Sequence, residues 1–440
     1  MTAEIAVMNR EAIAMAADSA VTLPQESAPK IFASANKIFA LSPRRPIGMM
    51  VFGAASFMDV PWDTIIKMYR VHLTNRRFDT LRGYVDDFVG FVRKCRHCWP
   101  ASQQDAYVRR KVRSYFLHVR EAIEARIEEA IQKKGRVLES EVREIVVEVI
   151  GVHHALWKAA PQAPGISRPA LRKRLSQHKA AVDDVKRRVF EKLPLDSTRS
   201  RLLGELAINL FARFPRGLSY QQSGVVVAGF GEAEVFPSLH QLFFEGMVGS
   251  VLKYREHRTC SVSFQNSATI VPFAQTEMVS SFMEGVDPSY EQAIEKDMSE
   301  ILSVFPDVVV DSIPGMENGE RKSLKRKLRG VGKTMAKEYR ANLKTYRQKQ
   351  FVDPVVQVVA MLPKDELAAM AEALVNLTSF KRRVSMQAET VGGPIDVAVI
   401  SKGDGLVWVK RKHYFPAELN PDFLARKTKG AHDEDTGRAR

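Results

Sequence analysis

The chain has 440 residues, 45% of them apolar, and its 66 lysines and arginines outnumber 51 aspartates and glutamates for a formal net charge of +15. At about 150 residues per domain, the length fits one core domain carrying large insertions. There is no run of about 18 apolar residues and no basic-then-apolar leader, since Glu4, Arg10 and Glu11 interrupt the start; this excludes a membrane-spanning helix and predicts a soluble, cytoplasmic protein with reduced thiols.

Thr2 follows Met1, and a methionine ahead of a small residue is commonly removed during synthesis. Its removal would leave a hydroxyl and a free α-amine on one residue. The hydroxyl is a weak nucleophile until a base takes its proton, and a terminal amine with a pKa near ~8 can be that base. Ala3–Val7 and Ala12–Ala17 then read as short apolar strands around the polar turn Met8-Asn9-Arg10-Glu11, followed by Asp18-Ser19-Ala20. Lys37–Ser42 and Ile47–Phe52 form a second pair across Pro43-Arg44-Arg45-Pro46. Gly53-Ala54-Ala55-Ser56 turns the chain into Pro61–Leu73, where Ile65, Ile66, Met68 and Tyr69 have helical spacing. Lys-Ile-Phe occurs twice, starting at Lys30 and at Lys37.

From about 75 to 199 the pattern is charged and helical. Arg109–Lys133 and Glu139–Val152 are separated by Gly135, and Pro161-Gln162-Ala163-Pro164-Gly165 breaks the chain before a helix over Arg168–Phe190, which together suggest a helical hairpin or small bundle. Lys94-Cys95-Arg96-His97-Cys98 has half of a zinc-site spacing, with no second Cys pair or downstream His pair, so no metal is assigned. His153 and His154 are adjacent on a helix and diverge. Further on, Gly229-x-Gly231 lacks the third glycine and following helix of a phosphate loop. Gly330-Val331-Gly332-Lys333-Thr334 has Lys327 where such a loop needs glycine and no apolar strand before it, and no cofactor is expected. Between Arg321 and Gln350 stand twelve lysines and arginines against the single Glu338. That segment suits nucleic acid or an acidic protein partner, or else a merely solvated helix; Tyr339 and Tyr346 are too sparse for base stacking.

The stretch from Thr2 to Leu73 resembles the N-terminal third of proteasome β-subunits and of a related bacterial protease peptidase subunit, which are N-terminal-nucleophile hydrolases. The likeness is carried by the threonine, Ala16-Ala17-Asp18-Ser19, a lysine opening the third strand, and Gly53-Ala54-Ala55 before the first helix. Gly224–Phe230, Gln241-Leu242-Phe243-Phe244 and Cys260–Phe264 look like strands of the family's second sheet. Leu367–Leu377, then the run from Glu389 through Gly392-Gly393-Pro394 to Ile400, the turn Lys402-Gly403-Asp404-Gly405 and Leu406–Lys410 resemble its closing helix, Gly-Gly turn and hairpin. The likeness covers roughly 2–73, 200–295 and 352–415.

The resemblance implies an α+β fold, a four-layer αββα sandwich of the N-terminal-nucleophile type. Its core would comprise 1–74, 200–296 and 352–425, with helical insertions at 75–199 and 297–351 and a disordered tail at 426–440. It implies Thr2 as nucleophile, Asp18 as the carboxylate that holds a lysine, and the N–H of Gly53 or its neighbour as oxyanion donor. Lys37 is preferred to Lys30 because it stands sixteen residues before Gly53, as the family's strand–turn–strand spacing requires. A cation there lowers the hydroxyl pKa and keeps the amine basic. Two departures are evident. The family's Gly-Ser-Gly turn reads Ala274-Gln275-Thr276-Glu277, so Gln275 or Thr276 would substitute for its serine; and Glu389 and Thr390 stand near where the family has aspartate and serine. The implied activity is that of a proteasome-like threonine peptidase or amidohydrolase on peptide or other amide substrates, without metal or cofactor, in a homo-oligomer away from membranes. A small-molecule amidase shares this chemistry. The rival is a non-catalytic scaffold of the same fold whose basic insertion binds nucleic acid or an acidic partner.

Overall fold

The computed structural model describes residues 3–23, 30–42, 45–74, 76–215, 222–385, 392–413, 415–422 and 425. Thr2, Glu389, Thr390 and the tail 426–440 lie outside the described residues. β1 (Ala3–Asn9) and β2 (Ala12–Ala17) form a hairpin whose turn Asn9 holds, its side-chain oxygen accepting from the N–H groups of Glu11 at 2.9 Å and Ala12 at 3.1 Å. β3 (Val21–Leu23) pairs with β4 (Lys30–Phe32), and β5 (Ile38–Ala40) with β6 (Ile47–Gly53). A ribbon of β7 (Ser56–Phe57) and β8 (Val60–Pro61) leads into α1 (Trp62–Leu73).

A helical stretch follows. α2 (Leu81–Lys94) is capped by Thr80, which accepts from the Gly83 N–H, and α3 (Ala101–Lys134) ends at Gly135 in the left-handed region before α4 (Glu139–Ala159) returns. The single helix expected over Arg168–Phe190 is instead α5 (Arg168–Leu175) and α6 (Lys179–Val189). Between them Ser176–His178 tightens into a 3-10 turn, where the buried His178 ring sits 3.1 Å from Asp105 of α3. α7 (Ser197–Ala212) is capped by Asp196. Cys95, just before a short 3-10 turn, and Cys98, the last residue of that turn, have Cα atoms 5.5 Å apart and are joined in a disulfide. The expectation of reduced thiols therefore fails for this pair: the turn brings the two residues within disulfide reach. Cys260 is the free thiol.

β9 (Ser223–Gly229), β10 (Ser238–Val248), β11 (Val251–Ser261) and β12 (Ala268–Ala274) come next. The strand expected over Cys260–Phe264 is only the end of β11, with a turn at Ser263–Asn266 after it. α8 (Glu277–Glu284), α9 (Pro288–Asp311), α10 (Asn318–Arg347), α11 (Asp353–Val359) and α12 (Lys364–Val384) precede the closing hairpin of β13 (Asp396–Ser401) and β14 (Gly405–Lys410). Residue 297 lies inside α9. The α9–α10 hairpin is close-packed: a Cβ on Gly332 would come within 2.9 Å of the Leu302 carbonyl, and Arg329–Asp307 (2.6 Å) and Lys325–Asp311 (2.7 Å) cross it.

The molecule is thus mixed α+β with antiparallel sheets. One five-stranded sheet has the order β12-β1-β2-β13-β14 and the other β11-β10-β9-β6-β5. Side chains alternate between two buried sides in each. Ala6, Met8, Ile13, Met15 and Ile400 of the first sheet share an apolar cluster with Met50, Phe52, Val226 and Leu239 of the second. The approach is tight at Gly48, where a Cβ would come within 2.7 Å of Met15. The other side of the first sheet (Ile5, Val7, Ala14, Ala16) packs with Leu367, Ala371 and Leu374 of α12, and the small alanines let that helix lie close. The other side of the second sheet (Met49, Val51, Val225, Phe244) packs with Trp62, Phe88 and Phe116 from the first three helices. Truncating a buried leucine such as Leu367 to alanine in such a core costs about 2–5 kcal/mol. No helix among the described residues is long and apolar enough to cross a membrane.

Candidate active site

Where β2 ends, Asp18 is fully buried and its carboxylate is saturated. One oxygen accepts from the Ala3 N–H at 3.0 Å and from Lys37 Nζ at 2.5 Å. The other accepts from the N–H groups of Ala20 at 3.2 Å and Gly392 at 3.0 Å. Charge-assisted bonds of this kind are roughly twice as strong as neutral ones. Lys37 is also buried and lies 3.4 Å from the Glu4 carboxylate, so one ammonium sits between two carboxylates. Glu4 was missed by sequence reasoning. The signal was present: an acidic residue within the apolar run Ala3–Val7 needs a cation once both sides of the strand are buried.

Lys37 immediately precedes β5 and its carbonyl accepts from the Val51 N–H at 2.9 Å, which sets it beside the end of β6. Gly53 closes that strand with φ of +77°, and a Cβ there would come within 2.5 Å of the Gln222 carbonyl. Only glycine meets both demands. Of the two candidate oxyanion donors, the Ala54 N–H is committed to the Gln222 carbonyl at 3.2 Å. Lys37 and Gly53 line one cleft of about 190 Å³, with Val21, Asn36, Ala55 and Trp62 among its walls.

The remaining sequence candidates divide. Lys30 pairs through its backbone with Leu23, and its side chain is outside the described residues, as are Thr2, Glu389 and Thr390. Gln275 is buried next to Ala274, the strand partner of Ala3, and accepts from Arg382 Nε of α12 at 2.7 Å. Thr276 is exposed and its carbonyl opens the hydrogen bonding of α8. Ala274 has a left-handed φ of +59°, unusual for a residue with a Cβ. Ser19, also missed, donates its hydroxyl to the Pro394 carbonyl and its N–H to Gly392 at 3.2 Å, stitching the Gly392-Gly393-Pro394 turn onto the Asp18 loop.

Other polar clusters lie apart from the cleft. Lys111 and Lys253 each sit 2.8 Å from the buried Glu245 and tie α3 to β10 and β11; burial pushes Lys253 down to about 8 against the attraction of Glu245. His153 meets the Tyr115 hydroxyl at 2.8 Å and His154 meets Glu205 at 3.1 Å, so the adjacent histidines do point apart. The ligand atoms of Cys95, His97 and Cys98 lie within 4.8 Å of one another, with both sulfurs spent in the disulfide.

No family model matches the chain, and no curated protein sequence matches it. Among solved structures it aligns with the Anbu (Gly-1) mutant from Hyphomicrobium sp. strain MC1 at 9% identity and a TM-score of 0.26, over 100% of this chain and 98% of that one. It aligns with Anbu from the same strain at 8% identity and a TM-score of 0.26, over 99% and 98%. A likeness at this level carries no weight for fold or activity.

Proposed function

We propose that the chain is an N-terminal-threonine hydrolase of peptide or other amide bonds, built on a four-layer αββα sandwich with helical insertions. The supporting observation is the buried Asp18–Lys37 pair formed on the Ala3 N–H, the amide that joins Ala3 to Thr2, with Gly53 across the same cleft. In this reading Met1 is removed and the Thr2 hydroxyl attacks the substrate carbonyl. The Thr2 α-amine takes the hydroxyl proton and later delivers it to the leaving amine. Lys37, oriented by Asp18 and Glu4, favours the ionised hydroxyl and the neutral amine. The Gly53 N–H stabilises the tetrahedral oxyanion, worth about 3 kcal/mol per donor. Assembly into a homo-oligomer belongs to the same reading.

The test is covalent capture. An electrophile selective for N-terminal threonine should add one equivalent to the wild type, whose intact mass lacks Met1, and none to Thr2→Ala, with folding unchanged by circular dichroism. A retained Met1 or an acylated Thr2 in the native protein would remove the base and sink the hydrolase reading.

One observation favours the scaffold alternative. Arg326, Lys327, Lys333 and Lys337 of α10 have no acidic partner among the described residues. A polyanion such as nucleic acid or an acidic protein surface would provide one.

A further inference from the structure

We infer that Cys95 and Cys98 form a thiol–disulfide exchange site for a low-molecular-weight thiol, with His97 carrying the proton. Cys95 caps the C-terminus of α2, and the turn to Cys98 is closed by the Cys98 N–H donating to the Cys95 carbonyl at 3.1 Å. The two sulfurs are bonded to each other. The exposed His97 ring lies over Cys95, with Nε2 3.4 Å and Nδ1 4.0 Å from its sulfur. Cys95 and His97 both face a cleft of about 380 Å³, with the cations Arg76 and Lys94 and the carboxylates of Asp86 and Asp87 around it. Cys98, by contrast, is not among the residues lining that cleft, and the Trp99 beside it is packed inward, its ring 5.0 Å from Phe57 and its indole N–H on the Val92 carbonyl. Both cysteines are largely buried, 6% exposed at Cys95 and 8% at Cys98, and Cys95 is the one that borders the cleft beside the imidazole.

Approach through the cleft that Cys95 borders sets the order of steps. The incoming thiol gives its proton to His97, and its sulfur attacks Cys95 Sγ. The Cys95–Cys98 bond breaks, its electron pair leaves on Cys98, and Cys98 takes up a proton. A second thiol molecule then attacks the external sulfur of the mixed disulfide, giving up its own proton to solvent. The symmetrical small disulfide departs, and Cys95 takes the proton held by His97. The protein disulfide is reduced to two thiols and two small thiols are oxidised to one disulfide. Oxidation runs the same steps backward. Exchange of this kind needs a sulfur the thiol can approach and a way to manage the thiolate charge; Cys95 borders the cleft and His97 stands 3.4 Å from its sulfur. Nothing in the step depends on Thr2, so the site stands or falls independently of the hydrolase reading.

The experiment uses the intact chain without denaturant. Reduced glutathione followed by maleimide trapping should add two labels beyond that on Cys260, and oxidised glutathione should restore the starting mass. Cys98→Ser should accumulate a mixed disulfide with glutathione on Cys95, whereas Cys95→Ser should form one at least tenfold more slowly. His97→Ala should slow exchange by about tenfold or more and flatten its pH profile while leaving the final redox state unchanged. The inference is overturned if the wild-type pair resists glutathione while the fold stays intact. It is equally overturned if the two serine variants trap glutathione at equal rates, or if the isolated protein holds a zinc ion on two free thiolates. Because the wild-type measurement decides by itself, misfolding of a variant does not rescue the idea.

Discussion

Removing Lys37 takes away the cation that lies between the Asp18 and Glu4 carboxylates, both buried. Deleting one partner of a buried ion pair costs about 3–5 kcal/mol, because the remaining charge keeps its desolvation penalty. Lys37→Ala should therefore lower the denaturation midpoint markedly and reduce turnover by orders of magnitude. Lys30→Ala, in the repeated Lys-Ile-Phe segment, should change both little. Urea titration and turnover on a small amide, measured on both variants, separate the two lysines, and the reverse pattern would displace Lys37 from the mechanism. At this scale the sequence was informative where the family resemblance supplied a spacing. Sixteen residues separate Lys37 from Gly53, and the structure places both on one cleft. It marked Glu4 as an acid in an apolar strand but named no partner for it or for Ser19, because those partners lie on Lys37 and at 392–394, and local pattern carries no information about which distant group fills a buried site.

Two of the strands that sequence reading shortened or missed, β11 and β12, are edge strands, and the reason is physical. β11 reads Val-Leu-Lys-Tyr-Arg-Glu-His-Arg-Thr-Cys-Ser and β12 contains Pro272; each lies at the end of its sheet. Edges carry charges and proline to block further pairing, which erases the apolar signal that marked β2, β6 and β9. Charge on β11 also does structural work. Glu256 lies 2.6 Å from both Arg82 of α2 and His240 of β10. Partial burial raises its pKa, but hydrogen bonds from His240, Thr259 and Arg82 outweigh that and hold it at about 2. A carboxylate held below its usual value contributes stability above about pH 4.5, and the contribution fades as pH falls through about 2. Glu256→Gln should accordingly melt lower than the wild type at pH 7, with the gap shrinking between pH 4.5 and 2. Thermal melts of both proteins across that range decide it; a gap that stays constant or widens in acid would assign the stabilisation elsewhere.

Charge at the scale of the whole molecule is concentrated on α10, and the structure sorts it into two kinds. Lys325 and Arg329 are bound to Asp311 and Asp307 and clamp the helical hairpin. Arg326, Lys327, Lys333 and Lys337 have no such partner among the described residues and are exposed, as are Lys322, Arg340 and Lys344; these are the cations open to a polyanion. Changing the first four to glutamine should weaken retention on heparin or nucleic acid and flatten its salt dependence, because fewer counterions are released. Turnover of a small amide should persist. Retention unchanged at every salt concentration would make α10 a solvated helix only. Lys325→Gln with Arg329→Gln should instead loosen the hairpin, a distinction that composition could not reveal because it counts a clamped cation and an open one alike.

The hydrogen bond from the Gly392 N–H to Asp18 spans 374 residues, and this has a consequence in time. During synthesis Asp18 is made early, and the last donor to its carboxylate follows only after most of the chain has been translated. At about 5–20 residues per second, that is a delay of roughly 20–75 s. β2 waits equally long for β13, its neighbour in the sheet. A ribosome-bound chain stopped short of residue 392 would hold Asp18 and Lys37 without the turn that completes their surroundings. If the hydrolase reading is right, that delay is a safeguard: catalytic competence would arrive only with the finished polypeptide, so the enzyme would not act on neighbouring nascent chains while it is still being made.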